Sequence, residues 1–283
     1  MKTAIVFDSA GTLLKVYRVA RDVNTKNIIE NVVSTNMITK DCGCVLIAFQ
    51  ADSIDFLDDA DPGMRISDYM AHIKLGFDII CQGHEYSREY IREAISRDMK
   101  VLMDDLKRAV EAVKLKCKDI YYLNIGLVVD VPHGSIPYVL ATGGRTFPGV
   151  RDMIKRLMAS GVDVYIASGD NRKSLTSLAA DLNVPASNVF DAVSPEGKKA
   201  VVKTLKERYG RVIMVGDGVN DYLALKAADV GILSLQQEGM KPDELFEASD
   251  IAVDDILEVE SVVEESLHTN KKISTDKLKT RIR

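Results

Sequence analysis

The sequence predicts an α/β fold: a Rossmann-like parallel sheet with a second α/β domain inserted into it. A short apolar run, Ala4–Phe7, has the character of a buried strand and is followed by the turn-forming residues Ser9–Gly11. From Phe147 onward, apolar strands alternate with helices of about ten to fifteen residues. The ~130 residues between these two parts do not follow the alternation, which indicates an insertion after the first strand.

We therefore expect a core domain over residues 1–14 and 143–283, and an inserted cap domain over residues 15–142. The chain has 283 residues, of which 46% are hydrophobic and 28% charged, as in an ordinary soluble protein. Its net charge of −5 gives no general reason to expect a nucleic-acid partner. The composition does not predict an oligomeric state.

The sequence also predicts a cytoplasmic location without a membrane partner. A strand is predicted within three residues of Met1, so we expect no signal peptide. The longest uncharged apolar runs, such as Ile120–Val129, fall far short of the ~18 residues that a membrane-spanning helix needs.

The insertion is predicted to mix helices and strands. Its longest helical pattern, Ser87–Lys116, begins with Ser87 as a plausible N-cap. A turn at Pro132–Ser135 separates the strand Ile120–Val131 from an antiparallel partner, Ile136–Ala141. The other predicted elements are a helix at Asn24–Met37, a strand at Val45–Phe49, a loop at Asp58–Arg65, and a helix with a short strand within Ile66–Cys81.

The second part of the core domain is predicted to alternate regularly. Pro148 is suited to the first position of a helix that ends at about Ser160, because its ring fixes a helical φ. The further predicted strands are Val162–Ala167, Asn188–Val193, Val212–Val215, Val230–Leu233 and an edge strand at Ile251–Val253. The further predicted helices are Asn171–Leu182, Gly197–Tyr209, Asp221–Ala228 and Ile256–His268.

Polar residues follow three of the predicted strands. Asp8 follows the first, Ser168–Asn171 (SGDN) follows another, and Gly216–Asp221 (GDGVND) follows a third, while Pro195–Lys198 opens a helix between them. In open α/β sheets, ligands bind beyond the carboxyl ends of the strands. The sequence therefore predicts a site at this edge with a nucleophilic carboxylate, a hydroxyl, an ammonium group and a pair of carboxylates.

This set of groups is suited to phosphoryl transfer. Attack by Asp8 on a phosphoryl group requires its negative charge to be offset. Mg²⁺ prefers oxygen ligands, which Asp8 and Asp217 would supply, with Asp221 nearby and the backbone carbonyl of Ala10 as a further ligand. Lys198 would neutralise charge on the phosphoryl oxygens. Hydrogen bonds to the phosphoryl group are assigned to Thr12 and Ser168, and binding of a small phosphorylated substrate to Ser9, Gly169, Asp170 and Asn220.

These residues resemble the motifs of the haloacid dehalogenase superfamily of aspartyl-phosphate phosphotransferases. Asp8 and Thr12 match the first motif, Ser168 the second, Lys198 the third, and Asp217 with Asp221 the fourth. Within the superfamily, the likeness is greatest to the phosphorylation domain of P-type ATPases. The stretches similar to that domain are VGDGVNDYLALKAADVGI (Val215–Ile232), SGDN (resembling TGDN), PEGK (resembling PxxK) and DSAGT (resembling DKTGT).

The resemblance implies a Mg²⁺-dependent phosphatase that works through an aspartyl-phosphate on Asp8, with slow ATP hydrolysis as a variant. Ion pumping is not expected, because no membrane helix is predicted. Ala10 departs from the usual phosphatases of the superfamily, which have an Asp here as general acid and base. Loss of such assistance costs about 10²–10⁴-fold in rate.

Two alternatives remain open at this point. Phosphonoacetaldehyde hydrolase carries a DxAGT motif like the one around Ala10 and uses a Schiff-base lysine, although neither Lys15 nor Lys26 lies in a supporting pattern. The other alternative is a regulatory module that binds a phosphorylated ligand without turning it over.

Overall fold

A computed structural model describes residues 2–32, 37–38, 43–50, 55–117, 120, 122–170, 172–239 and 241–268. The strands are β1 (Thr3–Phe7), β2 (Leu14–Asp22), β3 (Ile28–Glu30), β4 (Cys44–Gln50), β5 (Gly76–Gln82), β6 (Tyr122–Asp130), β7 (Ser135–Thr146), β8 (Val162–Ala167), β9 (Val189–Phe190), β10 (Arg211–Gly216), β11 (Val230–Ser234) and β12 (Ile251–Val253). The helices are α1 (Ile66–His72), α2 (Arg88–Arg97), α3 (Met103–Lys116), α4 (Val150–Ala159), α5 (Arg172–Asp181), α6 (Pro195–Lys206), α7 (Tyr222–Ala227), α8 (Asp243–Ala248) and α9 (Glu258–His268).

The chain divides into two compact units. The first, the core unit, comprises residues 1–16 and 146–283, and the second, the inserted unit, comprises residues 17–145. The chain passes from the core unit into the inserted unit along β2 and returns along β7, and these two strands are neighbours in one sheet. The role of the inserted unit as a cap stays a prediction.

The core unit contains a six-stranded parallel sheet in the order β12-β11-β10-β1-β8-β9. β1 is fully buried and lies between β10 and β8, so Phe7 is in register with Val215 and Ile166. This arrangement brings the carboxyl ends of three strands together at one edge, as the sequence predicts. The α/β fold class is confirmed, including the edge position of β12.

Three details of the core unit differ from the sequence prediction. Pro148 is not the first helical residue, because Gly149 adopts a left-handed conformation (φ 80°) and α4 begins at Val150. The helix predicted from Asp221 begins with a 3₁₀ turn, Val219–Asp221, before α7. The short helix α8 was not predicted, since its six residues are too few to show a helical period.

The inserted unit has its own six-stranded sheet, in the order β3-β2-β7-β6-β4-β5. The predicted antiparallel pairing across the turn before Ser135 is confirmed by the β6–β7 ladder. The helices α1–α3 bury their apolar residues in a core that this unit makes from its own side chains, among them Ile47, Phe77, Leu106 and Leu127. The unit therefore has the hydrophobic core expected of an independent domain.

The predicted helix Asn24–Met37 is wrong. The Asp22 carboxylate instead accepts hydrogen bonds from the backbone amides of Asn24 and Thr25, which closes a turn, and β3 then pairs antiparallel with β2. Local hydrogen bonding by an aspartate side chain and pairing within the sheet outweigh the helical period. Residues 33–36 of the predicted helix lie outside the described residues.

The predicted helix Ser87–Lys116 is two helices. Ser87 caps α2 as predicted, since its hydroxyl accepts from the backbone amide of Tyr90 at 3.2 Å. The break follows at Asp98, whose buried carboxylate accepts from the amides of Lys100 and Val101 at 2.9 and 2.8 Å. It also accepts from the amide of Ile136 at 2.8 Å, so the break is fixed to the start of β7.

None of the helices in the described part of the chain is long and apolar enough to cross a membrane.

Candidate active site

The predicted site lies at the carboxyl edge of the parallel sheet, and Asp8 is at its centre. Asp8 directly follows β1, and its amide donates to the Val215 carbonyl of β10 at 2.9 Å, which continues the ladder by one residue. Its side chain is buried, with a residue exposure of 6%. A carboxylate in such a place requires compensating partners, because burial of an unpaired charge is costly.

Lys198 is the first of these partners. Its ammonium group donates to Asp8 Oδ1 at 2.5 Å and to Asp221 Oδ1 at 2.7 Å, and all three side chains are buried. Lys198 lies in the first turn of α6, where Ser194 caps the helix by accepting from the amide of Gly197 at 3.1 Å. The start of α6, with Ser194 as N-cap and Pro195 as its first residue, thus places Lys198 at the edge of the sheet.

Three carboxylates converge here. One oxygen each of Asp8, Asp217 and Asp221 lies within 4.8 Å of the others. Asp221 is 1% exposed, and its Oδ2 accepts from the backbone amides of Asp217 and Gly218 at 3.0 and 3.1 Å. With Lys198 on Oδ1, the Asp221 carboxylate holds the loop after β10 and the lysine in place.

Asp217 is enclosed by two neighbours. A Cβ atom on Gly11, which has a φ of 87°, would lie 2.3 Å from Asp217 Oδ2, so the turn after β1 fits against this carboxylate only with glycine. On another side, Lys241 Nζ donates to the Asp217 carbonyl at 2.6 Å and to Oδ2 at 2.8 Å. Lys241 is not predicted from the sequence, because its surroundings contain no recognisable motif.

A second hydrogen-bonded group joins the turn after β1 to the loop after β8. Ser168 Oγ donates to Asp170 Oδ2 at 2.9 Å, and Ser9 Oγ donates to the same oxygen. The two hydroxyl oxygens are 3.0 Å apart. Ser9, Ser168 and Asp170 thus form one cluster, in which the predicted hydroxyl donor Ser168 is already bonded to a carboxylate.

The remaining predicted residues occupy the same three loops. Thr12 is fully buried, and its Oγ1 has no hydrogen-bond partner among the described residues, so this hydroxyl is available to a ligand. Ala10 is half-buried in the turn after β1, while Gly169 and Asn220 are exposed. Asn171, the last residue of the SGDN segment, lies outside the described residues.

Burial and the neighbouring charges shift the pKa values in the cluster. Burial, followed by the charge of Asp221, raises the pKa of Asp8 well above its usual value, while Lys198 opposes the shift. Burial also raises the pKa of Asp217, against the lowering effect of Lys241. Burial lowers the pKa of Lys198, but Asp8 and Asp221 outweigh it and raise that pKa above its usual value.

The donor set fits a hard divalent cation. The carboxylates of the buried Asp8 and Asp221 and of the half-buried Asp217 face the two ammonium groups of Lys198 and Lys241, which leaves an excess of negative charge. Burial is the main cause of the raised pKa values of Asp8 and Asp217, and a bound cation would favour the ionised form of both carboxylates. Oxygen ligands of this kind suit ions such as Mg²⁺ or Mn²⁺ rather than soft metals.

Comparison with known proteins identifies the family to which the chain belongs. A family model of haloacid dehalogenase-like hydrolases matches residues 2–229. The chain belongs to this family. The predicted superfamily membership is thereby confirmed, and so is the prediction of an enzyme of this hydrolase class.

The curated relatives of this haloacid dehalogenase-like hydrolase include P-type ATPase-like proteins. A "Soluble P-type ATPase-like phosphatase" of Methanocaldococcus jannaschii is 32% identical over 260 residues, which cover 92% of both chains. Copper-transporting ATPase 2 of Mus musculus is 38% identical over 142 residues, which are 50% of this chain and 9% of that protein. The first of these relatives supports a phosphohydrolase, and the predicted likeness to P-type ATPases is confirmed.

Among solved structures, the hydrolase is similar to the catalytic domain of the CPx-ATPase CopB-B. That similarity has a TM-score of 0.45 and 17% identity, and it covers 92% of this chain and 88% of the other. A zinc-transporting PIB-type ATPase matches with a TM-score of 0.44 and 17% identity, over 92% of this chain and 40% of the other.

Proposed function

We propose that this hydrolase is a Mg²⁺-dependent phosphatase in which Asp8 attacks the phosphorus atom of a small phosphorylated substrate. The observation that carries the proposal is the buried Asp8 carboxylate, bonded to Lys198 at 2.5 Å and within 4.8 Å of two further carboxylates. A 32%-identical relative named as a soluble phosphatase supports the same reaction class. The predicted cytoplasmic location is retained as part of this proposal.

In the first half-reaction, an oxygen of Asp8 forms a bond to phosphorus as the bond from phosphorus to the leaving oxygen breaks. Lys198 stabilises the negative charge on the transferring phosphoryl oxygens, and the unpartnered Thr12 hydroxyl donates a hydrogen bond to one of them. Asp221 keeps Lys198 in position. Asp8 and Asp217 would hold Mg²⁺, with the Ala10 carbonyl as a further ligand, and the bound ion would supply the positive charge that keeps Asp8 ionised.

In the second half-reaction, water attacks the aspartyl-phosphate and releases phosphate, which regenerates Asp8. Ala10 has no group that could give a proton to the leaving oxygen or take one from this water. Substrates with stable leaving groups, such as acyl phosphates or nucleoside triphosphates, depend least on such help. The chain is therefore suited to these substrates, and the Ser9–Ser168–Asp170 cluster, with Gly169 and Asn220, is assigned to their binding.

Beryllofluoride trapping tests the nucleophile. In Mg²⁺, we expect the native protein to bind beryllofluoride on Asp8, giving a bound resonance in ¹⁹F NMR, and Asp8→Asn to give none. Asp229→Asn makes the same change at an exposed aspartate that pairs with Lys206, and it should keep the signal. Absence of a bound signal in the native protein would refute the proposal.

Phosphate release from a panel of acetyl phosphate, ATP, sugar phosphates and phosphonoacetaldehyde then identifies the substrate class. Borohydride trapping with phosphonoacetaldehyde, followed by mass spectrometry, tests the Schiff-base alternative. Lys26, one of the two lysines considered for that role, already donates to both oxygens of Asp105 at 2.9 Å. Ligand binding without any phosphate release would instead favour a regulatory module.

A further inference from the structure

Lys241 is a half-buried cation at the site, and the proposed reaction does not use it. It lies in the connection between β11 and α8, and its side chain is 12% exposed. Its ammonium group bonds both to the main-chain carbonyl and to the carboxylate of Asp217, at 2.6 and 2.8 Å. In the described part of the chain, no other group donates a hydrogen bond to an oxygen of Asp217.

The two lysines of the site divide the carboxylates between them. Lys198 serves Asp8 and Asp221, whereas Lys241 serves Asp217 alone. A divalent cation that binds Asp217 would therefore have a fixed positive charge on the same carboxylate. Repulsion between such charges is substantial in a partly buried site, because the effective dielectric constant is far below that of water.

Asp217 has contacts besides those with Lys241. Its amide donates to Asp221 Oδ2 at 3.0 Å, and the carboxylate fits against Gly11, where a Cβ atom would overlap it. Removal of the lysine side chain should thus leave the carboxylate where it is and remove only the competing charge. If Lys241 acts through its charge, its removal should raise the affinity for metal. If it acts by holding Asp217 in place, its removal should lower that affinity, so the two roles can be distinguished.

We propose that Lys241 occupies the Asp217 carboxylate in the absence of metal and, through its charge, sets the affinity of the carboxylate cluster for a divalent cation to a low value. This inference rests on the metal site of the proposed function. It assigns to Lys241 the control of metal binding and no contact with the substrate.

Metal affinity can be measured without turnover, by titrating metal-free full-length protein with Mn²⁺ and detecting free Mn²⁺ by electron paramagnetic resonance. We expect Lys241→Met and Lys241→Gln to bind Mn²⁺ at least about tenfold more tightly than the native protein. Lys241→Arg, which keeps the charge, should bind it as the native protein does. Asp217→Asn should bind it much more weakly.

Lys206 provides a matched control. Its ammonium group also bonds a carbonyl and an aspartate, Ala227 at 3.1 Å and Asp229 at 2.7 Å, but away from the cluster. Lys206→Met should leave Mn²⁺ affinity unchanged, and an equal gain there would overturn the inference by showing a general charge effect. Thermal melts in EDTA establish that each variant is folded.

The outcomes separate the inference from the function on which it rests. If the native protein binds Mn²⁺ and Asp217→Asn does not, but Lys241→Met and Lys241→Gln bind it equally or less tightly, the role of Lys241 is refuted and the metal site stands. If neither the native protein nor the Lys241 variants bind Mn²⁺, the metal site and the role of Lys241 are both refuted. Binding that is detectable only in the Lys241→Met and Lys241→Gln variants supports the metal site and the role of Lys241.

Discussion

Ala10 is the residue that most limits the proposed chemistry. It lies two positions after Asp8, half-buried in the turn that also carries Gly11 and Thr12, and its methyl group cannot transfer a proton. In the proposed function, the rest of the site binds and stabilises a phosphoryl group. The expected result is an enzyme whose rate depends strongly on the leaving group.

We predict that Ala10→Asp raises kcat for alkyl phosphate esters by about 10²-fold or more, because a carboxyl group at this position can protonate the leaving oxygen. The gain with acetyl phosphate should be much smaller, since acetate needs no proton to leave. Steady-state phosphate release with both substrates measures the difference. Ala10→Asn has similar size but transfers no proton, so an equal gain in that variant would contradict this explanation.

At the scale of elements, the break between α2 and α3 shows how one buried side chain outweighs a helical pattern. The apolar positions on both sides of Asp98 keep one helical period, which is why the sequence predicts a continuous helix. The Asp98 carboxylate instead binds three backbone amides, two in the break and one at the start of β7. Such long-range pairing cannot be read from local spacing.

We predict that Asp98→Ala lowers the free energy of unfolding by about 3 kcal/mol, because it leaves three backbone amides without their charged acceptor, two of them on buried residues. Urea denaturation followed by circular dichroism measures the loss. Asp104→Ala, on the same segment, removes an exposed partner of Arg108 and should cost less than about 1 kcal/mol. Equal losses in the two variants would show that the three hydrogen bonds to the Asp98 carboxylate do not stabilise the break.

The site was more predictable than the insertion for a physical reason. Asp8, Ser168 and Asp217 each follow a buried strand of the parallel sheet, so strand order alone brings them together. Lys198 was predictable as well, because it lies in the first turn of a helix that begins at the same edge of the sheet. Lys241, by contrast, reaches Asp217 from an irregular connection, and its contact depends on a loop path that no periodicity encodes.

At the scale of the whole molecule, the two units have separate sheets and separate cores. The inserted unit buries residues from all its helices and most of its strands in one apolar cluster. Its ends, Tyr17 and Arg145, belong to the neighbouring strands β2 and β7. Cutting the chain at both points therefore interrupts only these two strands and none of the helices.

We predict that a fragment of residues 17–145 folds on its own and unfolds cooperatively, since it retains its complete sheet order and core. Differential scanning calorimetry should show one transition with an enthalpy of about 0.7 kcal/mol per residue. The backbone amide resonances in NMR spectra of the fragment should overlay those of the same residues in the full chain. A fragment without a cooperative transition would mean that the inserted unit requires the core unit to fold.

The Phe147 amide donates to the Leu13 carbonyl at 3.0 Å, so the two ends of the core unit that flank the insertion are bonded to each other, and this has a thermodynamic consequence. When the inserted unit unfolds while the core unit stays folded, its ~130 residues form a loop whose two ends remain fixed at the same place. Such a loop has less conformational freedom than a chain with free ends, and the loss for loops of this size is about 4–5 kcal/mol. The insertion is thus stabilised by its tether, and the same sequence should melt at a lower temperature once it is cut free.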